Sequence, residues 1–277
     1  MTDPQALRDQ RAARWGQSPA TSTPDPDSAA RLIERLGLVT LFPVSPELPD
    51  LFHAYTGDPN AQTTSGWDTP SGHVYTWRWE LGRREAGFYT AIVRGRPTFV
   101  AWPLLPAILR LRGDLRDPEE LYDLGQLSNA AYRVARALAE AGGVLDTGTL
   151  RRAAGFPTGK DQRAAYLKAV AELDAKLLLA KVFSPGDEEM RHALVQLRYP
   201  DHVAAAEALT REAALDLFLA TYLPHAAYAV PTPLARHLGL PLPELRAALD
   251  RLVAQGQARS AAVPGEKEAW IVWTAGL

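Results

Sequence analysis

Apolar positions fall at helical spacing over much of the chain and bunch into short β-prone runs between glycine and proline turns. Asp3 to Trp15 reads as a short charged helix, followed by a Pro/Ser/Thr segment ending Pro24-Asp25-Pro26-Asp27-Ser28, the composition of a linker. Ser28 or Asp27 can cap a helix through Leu32, Ile33 and Leu36 that Gly37 stops. From Leu38 to Tyr75 the sequence is rich in Pro, Gly, Ser, Thr and Asp, with apolar scraps at Val39 to Val44 and Leu48 to Tyr55. Trp77 and Trp79 alternate with Arg78 and Glu80, which in a strand puts both indoles on one face. Phe88 to Val93 and Thr98 to Trp102 flank Arg94-Gly95-Arg96-Pro97, a hairpin whose tip carries two arginines.

Beyond that hairpin the pattern repeats. Ser128 caps a helix ending at Gly142-Gly143, a second helix runs from Thr147 to Ala154, a third from Asp161 to Lys176, and Leu177 to Phe183, the turn Ser184-Pro185-Gly186-Asp187 and Met190 to Leu197 form a hairpin. The same order returns with helices Thr210 to Leu223, Thr232 to Leu238 and Pro243 to Gln255, then strands Ala258 to Val263 and Ala269 to Thr274 around Pro264-Gly265. Leu150, Arg152 and Gly155 correspond to Leu234, Arg236 and Gly239 at a constant offset of 84 residues, and such self-similarity marks a repeated structural unit. Three helices closed by a two-stranded wing is the order of a winged helix-turn-helix, whose third helix can enter a major groove. The expected fold is mainly α with β-hairpin wings (α+β), as tandem winged helix-turn-helix units. An N-terminal tail with a short helix and linker takes 1–27, a divergent winged-helix-like unit without a clear third helix 28–118, and two winged-helix units 119–202 and 203–277.

Composition narrows the function. The 277 residues contain no cysteine, which removes disulfides, thiol catalysis and cysteine-ligated metals. The opening MTDPQALRDQRAARW has no apolar h-region, and the longest charge-free apolar run, Pro97 to Leu109, is broken by Pro103 and Pro106, so a cytoplasmic protein with no membrane span is expected. A net charge of −2 argues against a generic polyanion binder. Its distribution is uneven: residues 73–116 hold eight arginines against three acids, residues 133–176 eight basic against five acidic groups, and residues 231–256 three arginines against two acids. Arginine outnumbers lysine 25 to 5, a bias that suits bidentate phosphate contacts and that a GC-rich genome would produce as well.

On the helix from Asp161, Tyr166, Val170 and Leu173 form the inward stripe, Lys160 and Lys168 lie opposite with Arg163 at the edge, and Asp161 and Glu172 share that outer side. That face reads equally as a DNA-contacting surface and as an ordinary solvated one. The DNA-binding candidates are Arg94, Arg96, Arg151, Arg152, Lys160, Arg163 and Lys168, with Trp77 and Trp79 as base-stacking candidates or core residues. Gly155 to Asp161 imitates a phosphate loop but is one residue short and has Asp161 where Ser or Thr would meet Mg²⁺. The six histidines show no metal-ligand spacing, and there is no G-x-S-x-G elbow. Neither a metal nor a cofactor is expected.

Ala30 to Leu38, Thr76-Trp-Arg-Trp-Glu-Leu81 with the Phe88 to Trp102 hairpin, Thr149 to Gly155 through Leu173, and Phe218 to Leu223 together resemble the AlkZ/YcaQ-like family of winged-helix DNA glycosylases, especially its shorter AlkZ-related branch. The resemblance implies double-stranded DNA as partner, undamaged or carrying alkylated or crosslinked bases, and N-glycosidic bond hydrolysis as the chemistry. In that family a glutamine–apolar–glutamine or glutamine–apolar–aspartate motif tied to catalysis follows the first Leu-Gly helix. Here Thr40, Leu41 and Phe42 stand there, so the catalytic motif is altered or lost. Asp68 and Glu80, carboxylates near the tryptophan pair, are the substitute catalytic candidates, with surface salt bridges as the alternative for each. The remaining readings are a non-catalytic winged-helix transcriptional regulator and a scaffold that binds a protein partner.

Overall fold

The computed structural model describes residues 3–186 and 189–275. Helix α1 (Pro4–Arg14) precedes a unit made of α2 (Pro26–Leu36), β1 (Leu38–Thr40), α3 (Leu51–Thr56), α4 (Pro70–Arg83), β2 (Phe88–Val93) and β3 (Arg96–Val100). Helices α5 (Leu105–Arg112) and α6 (Pro118–Asp123) lead into α7 (Asn129–Ala141), β4 (Leu145–Asp146), α8 (Thr147–Ala153), α9 (Lys160–Ala175), β5 (Leu179–Phe183) and β6 (Met190–Leu194). Helices α10 (Val195–Arg198) and α11 (Pro200–Ala208) connect to α12 (Arg211–Ala226), β7 (Tyr228–Ala229), α13 (Pro231–Leu238), α14 (Leu242–Ala254), β8 (Ala258–Ala261) and β9 (Trp270–Trp273).

The order helix, short strand, helix, helix, hairpin therefore occurs three times. In each unit the short strand pairs antiparallel with the second hairpin strand, giving sheets β1-β3-β2, β4-β6-β5 and β7-β9-β8. The fold is thus mainly helical with three-stranded antiparallel wings, arranged as tandem winged helix-turn-helix units. Within the turn expected at 184–187, Asp187 lies outside the described residues.

Local chemistry explains the helix ends. Asp25 accepts from the Ser28 amide at 2.8 Å and the Ser28 hydroxyl reaches back to the Asp25 amide at 3.2 Å, a capping box that starts α2 with Pro26 in its first turn. Ala29, Leu32, Ile33 and Leu36 then bury one stripe, and Gly37 at φ 78° ends the helix.

Two expectations change. The segment holding Trp77 and Trp79 is not a strand: Thr69 caps α4, accepting from the Gly72 amide at 3.1 Å, and Pro70 occupies its first turn. Helical geometry sends the two indoles to different faces. Helix α4 is also the third helix that the first unit had been expected to lack. The short helix expected within residues 1–27 is α1, which docks on α12, with Trp15 in the same apolar core as Ile33 and Phe99 of the first unit and Phe218 and Leu249 of the third. The second unit has its own core around Leu138, Leu150, Tyr166 and Leu173. It meets the first where α4 packs on β5 and α9 on β2. At Gly82 the fit is tight: a Cβ there would lie 2.3 Å from the Phe183 ring.

Candidate functional site

The segment after α2 builds the most featured concavity. Thr40 and Leu41 are fully buried, and the Thr40 hydroxyl donates to the Phe42 carbonyl at 2.8 Å and to that of Pro49 at 3.2 Å. Phe42 is half-buried and faces a cleft of about 630 Å³ lined also by His53, Asn60, Thr64, Ser71 and Arg96. A shallower extension of about 280 Å³ adds Trp67 and Tyr75. Trp67 is 74% exposed, the most exposed large apolar side chain among the described residues, and meets Tyr75 edge-on at 5.8 Å. The loop that carries it is pressed against α4, because a Cβ on Gly72 would fall 2.2 Å from the Trp67 carbonyl oxygen.

Asp50 and His53 stand at the start of α3, and Asp50 bridges to Thr40 across the backbone. One Asp50 oxygen accepts from the His53 amide at 2.8 Å and caps the helix; the other lies 2.8 Å from His53 Nδ1. His53 Nε2 lies 3.2 Å from the Ala61 carbonyl oxygen. Both ring nitrogens face acceptors, so the doubly protonated imidazolium is the form that satisfies both. Burial opposes that charge, but the hydrogen bond and charge of Asp50 outweigh it and hold the His53 pKa above its ordinary value. The buried Asp50 has both oxygens committed to His53, so the pair is held by its own hydrogen bonds.

The other side chains scatter. Asp68 is fully exposed, 3.8 Å from His73 Nε2, Glu80 pairs with Arg84 on the surface, and neither lines the cleft. Trp77 is core, edge-on to Tyr55 at 5.1 Å, and Trp79 is half-buried against Phe183 at 5.5 Å. Arg94 at φ 51° and Gly95 at φ 74° form the hairpin tip, and Arg94, Arg96, Lys160, Arg163 and Lys168 are exposed with no ion-pair partner among the described residues. Arg151 donates to the Pro157 and Gly159 carbonyls and closes the turn before α9, while Arg152 reaches the Thr149 hydroxyl. Glu172 leaves the outer face of α9 to accept from the Ser128 amide and hydroxyl at 2.8 and 2.6 Å, so Asp161 is left as the acid near those cations. The Asp50–His53 pair was missed in sequence; its signal is a carboxylate three residues before a histidine at a helix start. Among the described residues no group of three His, Cys, Asp or Glu side chains could hold a metal, and no helix is long and apolar enough to cross a membrane.

The family model described as AlkZ related matches residues 23–193. Among solved structures, Streptomyces sahachiroi DNA glycosylase AlkZ is similar in fold, with a TM-score of 0.59 at 15% identity over 98% of this chain and 70% of that one. No curated protein matches in sequence.

Proposed function

Because the chain belongs to the AlkZ-related family of DNA-repair glycosylase relatives, we propose that it binds duplex DNA and holds a nucleotide in the cleft beside Phe42, recognising it without excising its base. The observation that carries this reading is Arg96: it brings an unneutralised positive charge to a cleft whose other ionisable lining residue, His53, is already balanced by Asp50. A phosphate at Arg96 leaves the sugar and base among Phe42, Asn60, Thr64 and Ser71, a mixture of apolar and amide or hydroxyl surface that suits a nucleotide. Lys160, Arg163 and Lys168 on α9 offer a second set of phosphate contacts.

Excision requires a group that orients water or stabilises a cationic sugar. Thr40 is buried and bonded to backbone, Phe42 is apolar, Asp50 has both oxygens bonded to His53, and the second His53 ring nitrogen faces the Ala61 carbonyl. The test is to titrate undamaged and alkylated duplexes across a salt series and then assay for abasic sites by strand cleavage. The expected result is salt-dependent binding with no cleavage above the protein-free control. Binding that is absent or indifferent to salt would overturn the DNA reading, and abasic product would overturn its non-catalytic part.

A further inference from the structure

The cleft beside Phe42 runs on into the shallower hollow of about 280 Å³ through Phe42, Thr64 and Ser71, which line both. Arg96 lines only the deeper part and Trp67 only the shallower, so one continuous concavity carries a cation in one part and an indole in the other. Trp67 is 74% exposed, and the run from Gln62 to Ser65 before it is exposed and uncharged, made of amide and hydroxyl side chains.

The backbone that carries this indole is held in place. The Thr69 hydroxyl donates to the Gly66 carbonyl at 2.7 Å and accepts from the Gly72 amide at 3.1 Å, which ties the loop to the start of α4. The Thr64 amide donates to the Ser71 hydroxyl at 3.0 Å, a second tie to the same helix. The Arg78 guanidinium lies 3.7 Å from the centroid of Tyr75, the ring that Trp67 meets edge-on. The neighbouring acid, Asp68, lies 3.8 Å from His73 Nε2. Trp67 is therefore a large apolar ring left in water on an anchored loop. A ring so placed gives up little conformational freedom when a flat apolar partner covers it.

We propose that Trp67 is a wedge that enters the base stack of duplex DNA and fills the gap left by the nucleotide held beside Phe42, whose phosphate stays at Arg96. This rests on the DNA-binding reading and adds to it how the duplex is opened. A nucleotide drawn out of the stack leaves the faces of its neighbours uncovered. Apolar side chains inserted between base steps cover such faces and kink the duplex. An indole stacks on the face of any base, so the wedge acts without reading sequence.

The test uses full-length wild type, Trp67→Ala and Trp67→Phe with two duplexes, one undamaged and one carrying a single alkylated base, each with 2-aminopurine beside the central position. The fluorescence of 2-aminopurine rises when it unstacks, so it reports insertion separately from binding. Wild type is expected to raise that signal on at least one duplex as it binds. Trp67→Ala should bind that duplex roughly tenfold more weakly and give no rise at saturation, and Trp67→Phe should keep part of both effects. The slope of log affinity against log salt should stay at the wild-type value in both variants, because an indole releases no counterions. Wild type bound without a rise, a rise that persists in Trp67→Ala, or a lowered slope in that variant each overturns the wedge and leaves duplex binding standing. Wild type that shows no salt-dependent binding overturns the DNA reading, and the wedge with it.

Discussion

Arg11 and Glu47 form an ion pair at 3.0 Å with both side chains only 5% exposed, where α1, the segment after β1 and the start of the third unit meet. All three guanidinium nitrogens and one carboxylate oxygen of the pair also bond elsewhere. Arg11 also donates to the carbonyls of Ala226 at 2.9 Å, Pro46 at 2.7 Å and Tyr228, and its guanidinium stacks 3.4 Å from the Tyr228 ring centroid. Glu47 accepts from the Val230 amide at 3.0 Å. Burial alone would lower the Arg11 pKa, and Glu47 more than offsets it. Glu47→Ala leaves that cation buried without its counter-charge and is expected to cost about 3–5 kcal/mol in urea unfolding. The double change to Met at both positions is expected to recover most of it. An equal loss in the double variant would show that the backbone bonds, not the charge pair, hold the joint.

Two histidines give pH dependences of opposite sign. His53 has a raised folded-state pKa, so its stabilising effect is complete below the unfolded value of about 6.5 and fades as pH climbs through the folded value. His192 is buried beside Lys181, and burial followed by that charge lowers its pKa to about 4. The unfolded chain then binds the extra proton between pH 6.5 and 4, so stability falls with acid over that window by an amount on the order of 3 kcal/mol. His53→Gln should flatten the loss on the alkaline side and His192→Gln the loss on the acid side, each read as melting temperature against pH. Unaltered profiles would remove the two assignments.

Gly82 on α4 packs against the Phe183 ring on β5, where the first and second units meet. A methyl at Gly82 would overlap the ring, so Gly82→Ala is expected to destabilise by about 1–3 kcal/mol despite alanine's better helix propensity. Phe183→Leu should relieve part of that cost, giving a non-additive double variant in urea titrations. Strict additivity would mean that the units separate without passing the strain between them.

Much of the architecture could be read from repeats because the Leu-Arg-Gly pattern at Leu150, Arg152 and Gly155 sets a local cap and core that recur at Leu234, Arg236 and Gly239. The first unit hid its third helix because Trp77-Arg78-Trp79-Glu80 alternates like a strand, while the evidence for α4 lay upstream in the Thr69-Pro70 cap. The three short strands β1, β4 and β7 gave no pattern of their own, being two or three residues that form only by pairing with a distant wing strand. The cleft escaped for a related reason. His53 on α3 and Arg96 on the hairpin are far apart in sequence, and only packing brings both to the Phe42 segment.

The tryptophans separate function from packing. Trp77 is buried against Tyr55, so Trp77→Ala should cost about 3–5 kcal/mol of stability. Trp67 stands largely in solvent at the cleft's edge, and Trp67→Ala should leave the melting temperature within a degree or two of wild type. If bases stack on it, the same change weakens DNA binding by about 1–3 kcal/mol. A large thermal loss in Trp67→Ala would place that ring in the fold's support and out of the binding surface.

The hairpin tip allows charge to be removed without damaging the turn. Its two central residues, Arg94 and Gly95, both have positive φ, a conformation that favours asparagine over arginine in the first position. Arg94→Asn should therefore hold or improve the turn while deleting a cation, and Arg96→Gln deletes the cation that lines the cleft. Each phosphate contact contributes roughly 0.9 to the slope of log affinity against log salt, so the double variant should lower that slope by about 2 and weaken paired duplex binding. Arg136→Gln, which removes a surface arginine already paired with Glu140, is the control and should change the slope little. A double variant with the wild-type slope would show that DNA passes the protein without touching the wing, and the phosphate site at Arg96 would have to be abandoned.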